Sequence, residues 1–310
     1  MRANYFLPGL AAALLCLAAC DIEDFNVGDF QRFQRDFHYS YPLKAGGSLS
    51  LETFNGSVEI SGWDQNTVDI NGVKYGPTQE QADALKVDIE NSPDAVSIRV
   101  VRPSVRRGNQ GARFTIKIPR SAVLQRIYSS NGSIRTLDGA GPARLRTSNG
   151  QIRAEDLKGS LDAQTSNSSV ELINVDGDAG VRTSNGHIRV EGLRGSLEAS
   201  TSNSSINGRI VQAAKTVHAE TSNGSIDLSL PANFASDLRA NTSNSSITVR
   251  IPGEPNARLV AHTSNSSINS DFEIRTVGSF SKSQMEGTLG SGGALIDLGT
   301  SNGSIRLLKM

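Results

Sequence analysis

The chain has 310 residues, of which 37% are apolar, 20% charged and only 5% aromatic, and its 31 basic and 31 acidic side chains cancel. That balance excludes a protein drawn as a whole to nucleic acid or anionic lipid, and the apolar share is too high for a disordered chain. So few aromatic residues argue against a large globular core and leave one elongated or two compact domains.

Met1 and Arg2 precede an apolar run at residues 5–7 and 10–19, about as long as a signal-peptide core and shorter than the ~20 residues that a membrane-spanning helix needs. The run closes on Leu17-Ala18-Ala19-Cys20, which resembles the bacterial lipobox. The resemblance implies that residues 1–19 are a lipoprotein signal peptide and that Cys20 is the lipid attachment site. Several acyl chains on one residue give lasting attachment, since each buried CH₂ contributes about 0.8 kcal/mol. Cys16 leaves with the signal, so the exported domain is expected to hold together without a disulfide. Residues 20–45 read as a lipid-anchored tether. Within it Phe30, Phe33 and Phe37 fall at helical spacing, which also allows an amphipathic segment against the membrane.

Residues 46–120 read as an N-terminal β-rich cap containing the first coil. Leu49, Leu51, Thr53, Asn55, Ser57, Val58 and Ile60 stand in the order that recurs later in the chain. Runs at 67–75, 95–101 and 112–118 have strand character, and 78–85 suits a short helix. Arg99, Arg102, Arg106, Arg107 and Arg113 concentrate positive charge around a loop at 103–111. That loop reads as a solvated face or as a contact for a polyanion, although no aromatic interleaves it as nucleic-acid sites require.

From residue 121 to 310 the sequence is a repeat. Ser-Asn followed by Gly or Ser recurs with asparagines at 131, 149, 167, 185, 203, 223, 244, 265 and 302, spaced 18, 18, 18, 18, 20, 21, 21 and 37 apart. The last gap is close to two units. Four residues before each asparagine, and three after it, every side chain is apolar, from Ile127 and Ile134 to Leu298 and Ile305. Two before it the column is Ser129 and then threonine throughout; three before it, the column varies freely among polar residues. Alternation of fixed apolar and variable polar positions marks strands with one buried face. The parity breaks at Ser-Asn-Gly/Ser, so the chain turns a corner there, and Asn and Gly suit a corner because both tolerate positive φ. Glycines 141, 159, 177 and 195 mark a second corner. Residues 281–293, rich in Gly and Ser, read as a loop interrupting the last coils.

An Asn-Gly turn between strands is also a hairpin signal, which allows an antiparallel meander. Serine after the asparagine at 167, 203, 244 and 265 argues against it, because serine lacks glycine's access to the tight hairpin turn. The fold expected is all-β, a single-chain parallel β-solenoid, right-handed by the usual hand of parallel crossovers. Like residues then stack every ~4.8 Å: asparagines bond along their column and threonines satisfy their neighbours inside a dry coil. Seven steps from Asn131 to Asn265 predict a rod section of about 34 Å.

The repeated Ser-Asn-Gly-Ser-Ile and Ser-Asn-Ser-Ser-Ile, following Gly47-Ser48-Leu49-Ser50-Leu51-Glu52-Thr53-Phe54-Asn55-Gly56-Ser57-Val58, resembles the bacterial putative-adhesin family, a domain of unknown function, over residues 46–308. The resemblance implies a β-solenoid in the cell envelope and supplies no catalytic residues.

Chemistry is sparse. His38, His187, His218 and His262 are scattered without metal-ligand spacing, and neither a Gly-x-Ser-x-Gly elbow nor a phosphate-binding loop occurs. Asp138 and Asp156 each lie seven past an asparagine, beside a column holding Glu155 and Glu191; a carboxylate pair there could hold a cation or share a proton. Asp176-Gly177-Asp178 resembles a fragment of a calcium loop. Asn-x-Ser at the corners formally matches glycosylation acceptors, but a bacterial lipobox and a structural role explain it without sugar. The expectation is therefore a noncatalytic, monomeric lipoprotein of the bacterial envelope, on the outer membrane or the periplasmic face of the inner membrane. It needs no cofactor, no metal and no nucleic acid, and it presents a rigid surface to a protein or glycan ligand. Arg135, Arg153 and Arg189, four past their asparagines, are the candidate contacts, in a column that turns from basic to neutral or acidic along the rod. A polysaccharide-processing β-helix enzyme and an envelope sensor or assembly factor are the alternatives.

Overall fold

The computed structural model describes residues 33–103, 108–213, 215–276 and 281–310. The signal peptide, Cys20, Phe30, Arg106 and Arg107 lie outside the described residues. In each winding the alternating run before Ser-Asn forms one strand and the run after it another, as in Ala143–Thr147 and Ile152–Glu155 around Asn149. Leading strands stack into a 14-stranded sheet and trailing strands into a 13-stranded one. Pairing between windings is parallel and matches like with like: Leu145 faces Ala163, and Ile152 faces Val170. The chain thus builds the parallel solenoid, flattened into two sheets, and no antiparallel meander.

The apolar columns line the space between the sheets. Ile127, Leu145, Ala163, Ile134, Ile152 and Val170 are all fully buried. Each such aliphatic side chain contributes on the order of 1.5–3 kcal/mol, and alanine opposite isoleucine keeps the sandwich thin enough to need few aromatics. Among the described residues the only helix is Gln79–Ala84, which Thr78 caps by accepting from the Gln81 backbone N–H.

The stacking order departs from chain order at the far end. Strands Ala294–Thr300 and Ile305–Lys309 pair on one side with Asp237–Thr242 and Ile247–Ile251, and on the other with Ala257–Thr263 and Ile268–Ser270. The Asn302 winding therefore sits between those of Asn244 and Asn265, and the gap of 37 residues is not two successive turns. Eight steps, not seven, separate Asn131 from Asn265, about 38 Å at ~4.8 Å per step.

Antiparallel strands close the N-terminal end on both sheets and the far end on the leading sheet, while the trailing sheet ends there on the short strand Ile268–Ser270, parallel to Ile305–Lys309. At the N-terminal end Ala95–Val100 and Gly111–Pro119 form a winding below Ser48–Thr53 and Val58–Trp63, so the first coil in sequence is not the outermost. Thr67–Gly76 then pairs antiparallel with Gly111–Pro119, and Val87–Ser92 with Ala95–Val100. Residues 33–42, read as tether, instead form the strand Phe33–Pro42, antiparallel to Thr67–Gly76. Its Phe37 lies edge-on to Phe114 at 5.8 Å and covers Gly72, which leaves no room for a side chain there. At the other end Gln284–Leu289, within the stretch read as a loop, pairs antiparallel with both Ala257–Thr263 and Ile274–Thr276. Antiparallel closure covers the long parallel edges that would otherwise template aggregation, and the one parallel edge left at the far end is only three residues long.

Candidate functional site

The corner carries one continuous column of asparagine. In stacking order it runs Asn55, Asn131, Asn149, Asn167, Asn185, Asn203, Asn223, Asn244, Asn302 and Asn265, each amide donating to the Oδ1 of the one before at 2.6–2.9 Å. Asn55 ends the series by donating to the Gln110 carbonyl at 2.9 Å. All the bonds point the same way, so the side-chain dipoles add along the rod and polarise one another. The column is exposed to solvent, yet its own geometry consumes half of its hydrogen-bonding capacity.

Beneath it the threonine column is buried, but the hydroxyls do not bond to one another as expected. Each reaches the backbone carbonyl of the corner one winding below: Thr165 Oγ1 donates to Gly150 O at 2.9 Å, Thr183 to Ser168 O at 3.0 Å, Thr300 to Ser245 O at 3.0 Å and Thr263 to Gly303 O at 2.9 Å. Where the corner residue is glycine, its N–H donates back to the threonine oxygen of the same winding, as Gly186 does to Thr183 at 3.2 Å. Positive φ is not what selects these residues either. No ladder asparagine has it, and of the corner glycines only Gly56 does. Glycine is required because the carbonyl below occupies the space a Cβ would fill: Ser168 O beneath Gly186, Ser204 O beneath Gly224, Ser245 O beneath Gly303.

Positive φ belongs to the second corner. Asp138, Asp156 and Asn174 adopt φ of 59°, 52° and 53°, and Gly192 takes 77° in the same column. Short polar side chains are the non-glycine residues that tolerate this region. The two aspartates are engaged separately: Asp138 is salt-bridged to Arg120, and Asp156 accepts from the Asn174 amide at 3.0 Å. Asp178 is likewise engaged, accepting from the Ser196 backbone N–H at 2.9 Å, which holds its carboxyl below the usual carboxylate range. No group of three or more metal-ligating side chains occurs among the described residues. His38 bonds to Asp69 at 2.6 Å, and His218 lies 4.0 Å from Glu220.

The outer face of the trailing sheet holds the candidate arginines, and it neutralises them. Arg135 bonds Glu155 at 3.1 Å with Glu59 at 3.8 Å, Arg153 bonds Glu155 at 2.5 Å and Glu171 at 2.6 Å, and Arg189 bonds Glu191 at 2.5 Å. The Arg153 hydrogen bond, and then the Arg135 and Arg153 charges, hold the Glu155 carboxyl low; the Arg153 and Arg189 guanidiniums are held correspondingly high by Glu155 and Glu191. Arginine at one position and glutamate two residues on share a face of one strand and alternate across windings. The column is an ion-pair lattice rather than a free basic stripe. A second acid pair, Arg250 with Asp227, continues it.

The leading sheet is different near the cap. A β-bulge in Val123–Ser129 sets Gln125 and Arg126 together where the next winding has only Arg144, and both face solvent. Arg126 lies over the Tyr128 ring at 5.9 Å, and Tyr128 is the cross-strand partner of Arg146. Hydrogen bonds with Ser130 and Ser148, reinforced by Arg146 and Arg102, hold the Tyr128 phenol below its ordinary range. Arg126, Tyr128, Arg144, Arg146 and Gln164 line a trench of about 470 Å³. Reading the polar columns one at a time missed it, because the column five before the asparagines, Arg126, Arg144 and Asp162 at 18-residue spacing, was not read beside the column of Tyr128 and Arg146; the residue that the bulge adds is Gln125.

Residues 48–249 match the family model described as Toastrack DUF4097. The chain belongs to the Toastrack DUF4097 family. The matched region runs from the first coil to the Asn244 winding and leaves the inserted Asn302 winding outside it. Among solved structures, a protein of Bacteroides fragilis called a putative adhesin is 15% identical over 89% of this chain and 97% of its own, with a TM-score of 0.39. Another so called, from Parabacteroides merdae, is 10% identical over 88% and 96%, with a TM-score of 0.37. A protein of Parabacteroides distasonis called a putative lipid binding protein is 11% identical over 91% and 98%, with a TM-score of 0.28. Comparison with curated proteins gives no match. No helix among the described residues is long and apolar enough to cross a membrane.

Proposed function

We propose that this Toastrack protein is a noncatalytic lipoprotein of the bacterial envelope, anchored through Cys20, whose two flat outer faces form a rigid docking surface for an envelope or extracellular partner. One observation carries the reading. The corner asparagines and threonines, and the carboxylates that the sequence offered to chemistry, Asp138, Asp156 and Asp178, are engaged within the solenoid, which favours the outer sheet faces as the surfaces for a ligand. Backbone pairing across every winding fixes the spacing of those faces, so a partner loses little to ordering the protein on binding.

The anchor is tested by growing cells that express the full chain with radiolabelled palmitate. Label on the wild type and none on Cys20→Ala supports it; an unlabelled wild type, or equal label on both, overturns it. Docking is tested with a photo-crosslinking residue placed at Arg189 or at Arg146 on intact cells. A discrete adduct from one face supports the reading, and no adduct from either face contradicts it.

A further inference from the structure

Like charges on neighbouring strands repel, and on the outer faces several arginines are answered by a carboxylate, as Arg135, Arg153, Arg182 and Arg189 are. The trench on the leading sheet instead sets arginines beside one another on neighbouring strands. Arg126, Arg144 and Arg146 come from two adjacent windings, and the one acid lining the trench is Asp162, 3.7 Å from Arg144; Glu52, Asp88 and Glu90 line a separate groove on the far side of Arg126. Arg126 and Arg146 have no ion-pair partner among the described residues. Arg102, which reaches in from the cap to donate to Ser130 Oγ at 3.3 Å while its guanidinium lies over Phe54 at 5.2 Å, adds charge at the trench's lower end. Folding alone gives no reason to gather these charges, and a bulge beside them, which turns Gln125 outward next to Arg126, is the kind of feature found beside binding sites.

The chemistry of the lining selects the ligand. Guanidinium forks take planar carboxylates in paired hydrogen bonds, while the Tyr128 ring, the Gln164 amide and the Ser148 and Ser166 hydroxyls suit the ring face and hydroxyls of a sugar. The trench crosses three successive windings, from Arg126 and Tyr128 through Arg144 and Arg146 to Asp162 and Gln164, a length that fits an extended strand. We infer that the face formed by Arg126, Tyr128, Arg144, Arg146 and Gln164 binds an acidic polysaccharide strand carrying uronate carboxylates. This deepens the docking reading above and rests on it.

The test titrates the full chain with oligogalacturonate and, in separate arms, with neutral dextran and with vesicles containing phosphatidylglycerol. Expected are saturable, salt-sensitive binding of oligogalacturonate, none of dextran, and a loss of at least about tenfold in affinity for Arg126→Glu/Arg146→Glu, since two charge-assisted contacts are removed. Arg306→Glu, an exposed arginine on the opposite sheet, keeps wild-type affinity, and thermal melts show that both variants fold. Binding of vesicles but not of oligogalacturonate overturns the inference, as does equal binding by the double variant. If oligogalacturonate fails while the crosslinked adduct persists, the docking reading survives and only the acidic-glycan assignment falls.

Discussion

Asn302 donates its side-chain amide to Asn244 Oδ1 at 2.8 Å across 58 residues of chain. Asn265 then donates to Asn302 at 2.7 Å. The last segment of the protein thus enters a slot between two windings that precede it in sequence. Closing so long a connection adds little free energy, because loop entropy grows only with the logarithm of length. It makes the far end of the rod non-local, as is the N-terminal end, where Asn131 bonds Asn55 across 76 residues, and such contacts slow folding.

The corner residues should respond very differently to gaining and to losing a Cβ. Gly186→Ala pushes a Cβ into the Ser168 carbonyl, a backbone atom that cannot move without breaking its winding. A loss of about 2–4 kcal/mol is expected, read as a melting point lower by roughly 5–15 °C. Ser204→Gly, one winding on, should cost no more than about 1 kcal/mol. Equal effects would mean that close stacking does not select glycine.

Two buried threonines should change stability with opposite signs. Thr183→Val removes a donor to Ser168 O and an acceptor for Gly186 N–H, leaving both unmatched, and should destabilise by about 1–3 kcal/mol. Thr136 is just as buried, but its hydroxyl has no partner among the described residues. Thr136→Val should therefore stabilise, by up to about 1 kcal/mol. Chemical denaturation of the two variants checks both signs at once.

Acid should loosen the trailing sheet through Glu155. Its folded-state pKa lies below the unfolded value of about 4.3, so its contribution is complete above that value and is lost as pH falls through the lower folded one. Asp178 adds to the same trend. Melting temperature should vary little on this account from pH 7 to about 5 and fall below about pH 4. Glu155→Gln should melt lower at neutral pH and show a shallower acid slope; an unchanged slope would remove the ion-pair lattice from the account.

Much of this was legible because every winding repeats one environment. The columns of Ile152, Leu145 and Thr147 read directly as inward, and the solenoid followed. The insertion of the Asn302 winding was not legible from spacing, which records chain order alone. A signal for it was nevertheless present. In chain order the corner serines Ser245 and Ser266 are consecutive, whereas in stacking order Gly303 comes between them and the alternation of Gly and Ser from Gly150 onward is unbroken. The strand Phe33–Pro42 escaped notice because it is exposed on most of its length, so no apolar column marks it. Pairing of Arg153 with Glu155 escaped because each column was read separately, while that bond runs between columns; its pairing with Glu171 lies within one column, which was read as a charge gradient rather than as ion pairs.

The order of stacking is the claim on which ladder, corner and rod length depend, and engineered disulfides test it most directly. Asp297 is the cross-strand partner of both Arg239 and Val260. Cysteines at 239 and 297 should oxidise to an intramolecular bond, since neighbouring strands lie within the span a disulfide tolerates. Cysteines at 239 and 260, two windings and roughly 9.6 Å apart, should not. Peptide mapping that finds 239 joined to 297 supports the inserted winding; 239 joined readily to 260, with 297 left free, would contradict it.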